Sequence, residues 1–236
     1  MVTRTESVTR RLREAVLAGD YSPGARLNEM ALAEAMQVSR TPIRAALGVL
    51  FAEGLLDHEP NCGYVVRSLS LDEAVHIYTV RASLEGLAAR LAAENGMVHA
   101  QRDRFEETLH EMEAIVGGDA WGAAERDRWG DLNIVFHGMI CAASGNGYLA
   151  SSIQRTRTLP LLTAAGVRTF LAERAVVWWD RANYRRAQDD HLDIGEAILS
   201  RQGVRAEAAM RAHIERAGRL IGRKLANQAD AALALS

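Results

Sequence analysis

Residues 29 to 69 leave this chain little choice of local structure. EMALAEAM and the segment from Arg40 to Glu53 each carry a helical pattern, and they meet at a break no longer than QVSR. In the second, Ile43, Ala46, Leu47 and Leu50 recur at i, i+3, i+4 and i+7, so one face is apolar. Ser39 suits the N-cap of that helix. Pro42 suits its first turn, where backbone N–H groups lack helical partners. LLDHEP and YVVRSL follow as two short strands, with Asn61, Cys62 and Gly63 between them as a hairpin signal. A further helix is expected over 4–18, with Val8, Leu12, Val16 and Leu17 on one side, ending at the turn GDYSPG. The order is helix, helix-turn-helix, hairpin.

After SLSLDEA nearly everything is expected to be helical, near 71–94, 98–116, 121–144, 147–163, 168–179, 184–200 and 203–227. Alanine, leucine and arginine dominate, and Lys224 is the one lysine. At 236 residues, two small domains suit the chain better than one large one. The expected fold class is mainly α, with a winged helix-turn-helix over 1–70, an antiparallel all-helical bundle of six or seven helices over 71–228, and a frayed tail at 229–236. A net charge of −2 gives no bulk attraction to nucleic acid, so any DNA contact must come from a local patch. No apolar run reaches the roughly 18 residues of a membrane span, and MVTRTESVTRRL lacks the apolar stretch of a secretory signal. Cys62 and Cys141 fit no metal or redox motif, as expected of a reduced cytoplasmic protein.

A helix-turn-helix lays its second helix in the major groove and reads base edges with that helix's N-terminal residues. Here these are Arg40, Thr41 and Arg44. A guanidinium can grip guanine O6 and N7 together, or pair with phosphate. The hairpin would be a wing whose glycine tip approaches the DNA backbone or minor groove, and Arg10, Arg11, Arg13 and Arg26 could add phosphate contacts. A small helical bundle with solvated arginines would show the same spacing.

PGARLNEMALAEAMQVSRTPIRAALGVLFAEGLLDHEPNCGYVV resembles the winged-helix signature of GntR transcriptional regulators over its full length, most specifically in VSRTPIRAAL and EGLL. The resemblance implies DNA contacts from Arg40, Thr41, Arg44 and Gly63. Two positions depart from it. Met30 stands where an arginine is frequent, and Cys62 where a basic wing residue is common, which implies fewer phosphate contacts.

Of seven histidines, His58, His76, His99 and His110 have no ligand-like neighbours in sequence. Asn133 and His137 stand at i and i+4, so they share a helix face. His191 and His213 are 22 residues apart, which suits consecutive antiparallel helices meeting at similar height. Three imidazoles and an amide or carboxylate oxygen can fill most of the coordination sphere of a divalent ion, leaving positions for water or ligand. Histidines on helices are also common as ordinary packing residues, and the spacing leaves both readings open.

Residues 74–220 resemble the FCD ligand-sensing domain of the FadR subfamily of GntR regulators, through IYTVRASLEGLAARLAA, NIVFHGMICAASGN and the DDH…AAMRAHI pair. The resemblance implies a divalent metal, zinc, nickel or manganese, on Asn133, His137, His191 and His213. Asparagine replaces the usual aspartate at the first position and brings no negative charge. It also implies that Arg81 lines the cavity, where a guanidinium suits a carboxylate effector, and that Asn146 lies near the ligand. An i,i+4 surface pair between Arg81 and Glu85 is the alternative for Arg81, and a structural turn for Asn146. The implied molecule is a cytoplasmic, homodimeric repressor of double-stranded DNA with a palindromic operator, released by a small carboxylate-type metabolite. Two other readings compete. One is a metal-dependent hydrolase or isomerase at the three histidines. The other is a sensor whose histidines bind ligand without metal.

Overall fold

The computed structural model describes residues 3–60, 62–67, 71–157 and 180–233, and it is mostly helical. Its residues fall into two compact units, residues 3–67 in one and residues 71–156 and 180–233 in the other.

The first unit holds α1 (Arg4–Ala18), α2 (Glu29–Ala35), α3 (Arg40–Ala52), β1 (Leu56–Glu59) and β2 (Gly63–Val66). Thr3 and Glu6 close a capping box at the start of α1, each side chain accepting from the other's backbone N–H. Gly19 ends the helix at φ 94°, the left-handed region that glycine enters without a Cβ clash. Asn28 caps α2 by accepting from the N–H groups of Met30 and Ala31. Ser39 occupies the N-cap position of α3 with extended backbone, but its side chain makes no capping hydrogen bond. The apolar stripes then meet as the sequence requires. Val8, Leu12 and Val16 join Ile43, Leu47 and Leu50 in one core, closed by Leu27, Leu32, Leu55, Leu56 and Val66. Arg13 donates from Nε and Nη2 to the two carboxylate oxygens of Glu53, at 2.9 and 2.6 Å, and ties α1 to the end of α3. The strands pair antiparallel with Leu56 opposite Val66 and Glu59 opposite Gly63, and Arg26 bridges to Val65.

The second unit is a bundle of α4 (Leu71–Asn95), α5 (His99–Gly117), α6 (Ala123–Ala143), α7 (Gly147–Arg157), α8 (Arg181–Leu199) and α9 (Gly203–Leu233). Several helices pair antiparallel. Glu94, Gly86 and Tyr78 of α4 meet Gly203, Arg211 and Gly218 of α9 in reversed order. Likewise Val116, Glu113 and Leu109 of α5 meet Arg181, Arg185 and Gln188 of α8. Phe105 stacks on Phe136 across α5 and α6 with ring centres 5.2 Å apart. The helices approach closely where glycines allow it. A Cβ on Gly195 would fall 2.6 Å from Leu109 Cδ1, and one on Gly218 2.6 Å from Tyr78 Cβ.

Two element ends differ from the sequence expectation. α8 begins at Arg181 rather than near 184, because Asp180 Oδ1 accepts from the Asn183 N–H and sets the cap earlier. α9 runs to Leu233, so most of the stretch expected to fray is helical. The helix expected over 168–179, and the end of the one expected to reach 163, lie outside the described residues. No helix among the described residues is long and apolar enough to cross a membrane.

Candidate functional site

In the first unit, Arg40, Thr41 and Arg44 are all exposed at the N-terminal end of α3, opposite the buried Ile43, Ala46 and Leu47. Both arginines are held by one carboxylate. Arg44 donates to Glu29 from Nε and Nη2, at 3.0 and 2.9 Å, and Arg40 Nη2 donates to the same group at 3.1 Å. The hydrogen bond from Arg44 is the main cause that holds the Glu29 carboxyl below its ordinary range; slight desolvation works against it and Arg40 adds to it. Gly63, at the end of the hairpin turn, has φ 81° and nothing within 4 Å of where a Cβ would stand. Met30 is exposed. Arg13 is engaged by Glu53, so of the four arginines considered as phosphate contacts it serves the fold.

In the second unit, His137 of α6, His191 of α8 and His213 of α9 are buried and converge, each offering a ring nitrogen within 4.8 Å of the other two. His191 Nε2 and His213 Nε2 lie 3.2 Å apart. Two imidazole donors on a tetrahedral zinc ion, with bonds of about 2.0–2.1 Å, stand about 3.3 Å apart, so this pair fits a shared divalent ion. Two of the three rings are braced from behind. His137 Nδ1 lies 2.8 Å from Glu85 Oε2, an ion-pair distance that falls outside hydrogen-bond geometry. His213 Nδ1 lies 3.1 Å from Asp190 Oδ2, and Arg216 in turn donates to both oxygens of Asp190. A carboxylate beside Nδ1 favours the proton there and leaves Nε2 as the lone-pair donor, the usual support for a metal-bound histidine. Burial disfavours the charged Asp190, but hydrogen bonds from His213 and Arg216 outweigh it and hold the carboxyl below its ordinary range. The third ring is different. His191 Nδ1 is buried without a hydrogen-bond partner, and the ring packs on Trp129 (5.5 Å, nearly parallel) and Phe136 (4.5 Å). Burial first, then the neighbouring His213 and His137, push its pKa well below the usual value, so it stands as the neutral imidazole that ligation requires.

Asn133 is half-buried on α6, one turn before His137. Arg81 on α4 does pair with Glu85, but in the interior rather than on a surface. Its Nε and Nη2 reach Glu85 Oε1 at 2.9 and 2.8 Å, and its guanidinium carbon sits 4.9 Å from the centre of the Tyr78 ring. Burial works against the Arg81 charge, and Glu85 and Tyr78 together more than restore it. Asn146 is exposed, and its Oδ1 accepts from the Leu149 N–H at the start of α7, which is a capping role.

Known proteins supply the family. The model of the FCD domain matches residues 76–216, and that of bacterial regulatory proteins of the gntR family matches residues 4–66. The chain belongs to the GntR family. It is a DNA-binding transcriptional regulator with an FCD domain, and the rival reading as a hydrolase or isomerase falls away with that membership. This GntR regulator is 28% identical over 206 residues to the HTH-type transcriptional repressor GlaR of Escherichia coli, covering 86% of this chain and 89% of that protein. It is 28% identical over 198 residues to the Nta operon transcriptional regulator of Aminobacter aminovorans, covering 83% and 84%. Among solved structures, E. coli McbR/YncC superposes with a TM-score of 0.69 at 24% identity, covering 95% of this chain and 99% of that one, and supports the fold.

Two side chains of the GntR regulator's histidine cluster escaped sequence reasoning. Asp190 was one of several aspartates flanking His191, and nothing in the sequence pointed it at His213. Glu85 figured only as a surface partner for Arg81. A weak signal existed for it, since Glu85 stands one turn after Arg81 on the α4 segment that resembles the FCD domain.

Proposed function

We propose that this GntR regulator is a homodimeric, cytoplasmic repressor whose two N-terminal domains, bounded near residue 70, bind the half-sites of a palindromic operator. Arg40, Thr41, Arg44 and Gly63 meet the DNA, and a small carboxylate-type metabolite bound in the helical domain, which spans residues 71–228, releases it. His137, His191 and His213 hold a divalent ion, zinc, nickel or manganese, with Asn133 as a weak fourth ligand. The observation that carries this reading is the convergence of three buried histidines, two of them braced at Nδ1 by carboxylates. A bound divalent ion would supply an electrophilic anchor for the metabolite's carboxylate. The chain's own contribution is to keep His191 neutral, aim the rings of His137 and His213, and exclude water with Trp129 and Phe136. Arg81 reaches the metabolite only by sharing its guanidinium with Glu85, so it orients rather than anchors. Asn146 is left to its capping role.

Thermal unfolding of tag-free protein, stripped with chelator and then titrated with zinc, nickel or manganese, tests the proposal. Acetate, succinate and gluconate serve as carboxylate probes. Saturating metal at about a hundredfold excess over Kd should raise the melting temperature by about 5–10 °C. Carboxylate should add stability only when metal is present. His191→Ala and His213→Ala should each abolish the metal response. Equal stabilisation of stripped and loaded protein by carboxylate would favour the metal-free sensor. No response to any of the three metals, together with metal-free protein by elemental analysis, would end the metal reading.

A further inference from the structure

A cavity of about 340 Å³ lies between α8 and α9, and Asp190 and His213 line it where it adjoins the histidine cluster. Arg186 of α8 and Arg216, Arg219 and Arg223 of α9 line it, and Asp190 is the one carboxylate among its lining residues. On α9 the three arginines stand at i, i+3 and i+7, one face of the helix. Like charges at such spacing repel and destabilise an isolated helix, so nothing in local structure favours collecting them there. Intramolecular neutralisation is incomplete. Arg216 is taken up by Asp190, and Arg219 has only a long 3.7 Å contact to Glu215. Arg186 and Arg223 are exposed and form no ion pair with the described residues. The result is a concave site with an excess of guanidinium forks, each suited to paired oxyanion oxygens.

We propose that this groove, which adjoins the histidine cluster at His213, is an anion site built on its arginines, and that its ligand is a small phosphate-bearing molecule. A phosphate dianion offers three acceptor oxygens to guanidinium groups arriving from two helices, whereas a monocarboxylate would satisfy one fork and leave the others repelling. The site is wired to the histidines by the chain Arg216–Asp190–His213. An anion that draws Arg216 away from Asp190 removes part of the brace behind His213. That coupling rests on the proposed metal reading; the anion site itself does not.

Calorimetric titration of the full chain with glycerol 3-phosphate, inorganic phosphate and acetate, at constant ionic strength, tests the proposal. Glycerol 3-phosphate and inorganic phosphate should both bind, and acetate about tenfold more weakly or not at all. The triple variant Arg186→Gln, Arg219→Gln, Arg223→Gln changes exposed side chains only and should keep the wild-type melting temperature while losing phosphate affinity at least about tenfold. His191→Ala, which removes the metal response, should leave phosphate affinity within about twofold. The proposal is overturned if the triple variant binds phosphate as the wild type does, or if neither phosphate probe binds at 10 mM, on the order of the weakest useful affinity. It is also overturned if the triple variant loses only its affinity for random-sequence duplex DNA, which would make the groove a contact for the DNA backbone. Should His191→Ala fail to fold, the triple variant alone decides.

Discussion

Among single side chains, Glu85 sits at the junction of two roles. It is almost fully buried, it neutralises Arg81 through one oxygen, and it presents the other to His137. Removing it leaves a buried guanidinium without its carboxylate, the situation in which breaking an ion pair is most costly. Glu85→Ala should therefore lower unfolding free energy by about 3–5 kcal/mol, read from urea midpoints, while a change under about 1 kcal/mol would mean that Arg81 has other support. Arg44 poses the opposite case. It is exposed, and its pair with Glu29 contributes little to stability. Arg44→Ala should leave the melting temperature unchanged and weaken operator binding by about 1–3 kcal/mol in a gel-shift titration at fixed salt. Unaltered operator affinity would remove Arg44 from the recognition surface.

Among helices, small residues set the spacing. Tyr78 of α4 rides directly over Gly218 of α9, where an added Cβ meets the Tyr78 Cβ and ring at 2.6–3.3 Å. Gly218→Ala should destabilise by about 1–3 kcal/mol through overpacking, whereas Gly147→Ala, with nothing within 4 Å, should change stability by less than about 0.5 kcal/mol. Paired thermal melts give the comparison. The elements themselves were largely legible. The stripe Ile43, Ala46, Leu47, Leu50 is fully buried, and Leu56–Glu59 pairs antiparallel with Gly63–Val66 as the hairpin signal requires. Their ends were less so, because Asp180 caps α8 through a local hydrogen bond that hydrophobic periodicity does not record. Ser39 shows the converse, a good capping residue at the right place that makes no side-chain bond. At the histidines, the spacing of His191 and His213 on two successive helices was readable. The approach of Glu85 from α4 and of Asp190 to His213 depends on how helices rotate against each other, which no local pattern encodes.

For the molecule as a whole, the proposed action requires two copies. A dimer reading a palindrome places its recognition helices one DNA turn, about 34–36 Å, or a multiple of that apart. Light scattering with and without operator should therefore give two chains per duplex, and scrambling one half-site should cost most of the affinity. One chain per duplex at saturation would contradict the symmetric arrangement. Release by a metabolite further requires that the metabolite prefer the form unable to engage both half-sites, by about 5.5 kcal/mol for a nearly complete switch.

The clasp of Glu29 on Arg40 and Arg44 has a kinetic consequence for a protein that must search a genome. With Arg40 and Arg44 in their proposed role at the DNA, ordinary phosphate contacts would compete with an intramolecular partner already in place, and encounters with random sequence would be short-lived. A sequence that presents a guanine edge to Arg44 would offer two hydrogen bonds at once and could displace the carboxylate. Glu29 would in this way shorten every wrong stop more than the right one, and discrimination would gain from a residue that need never touch a base.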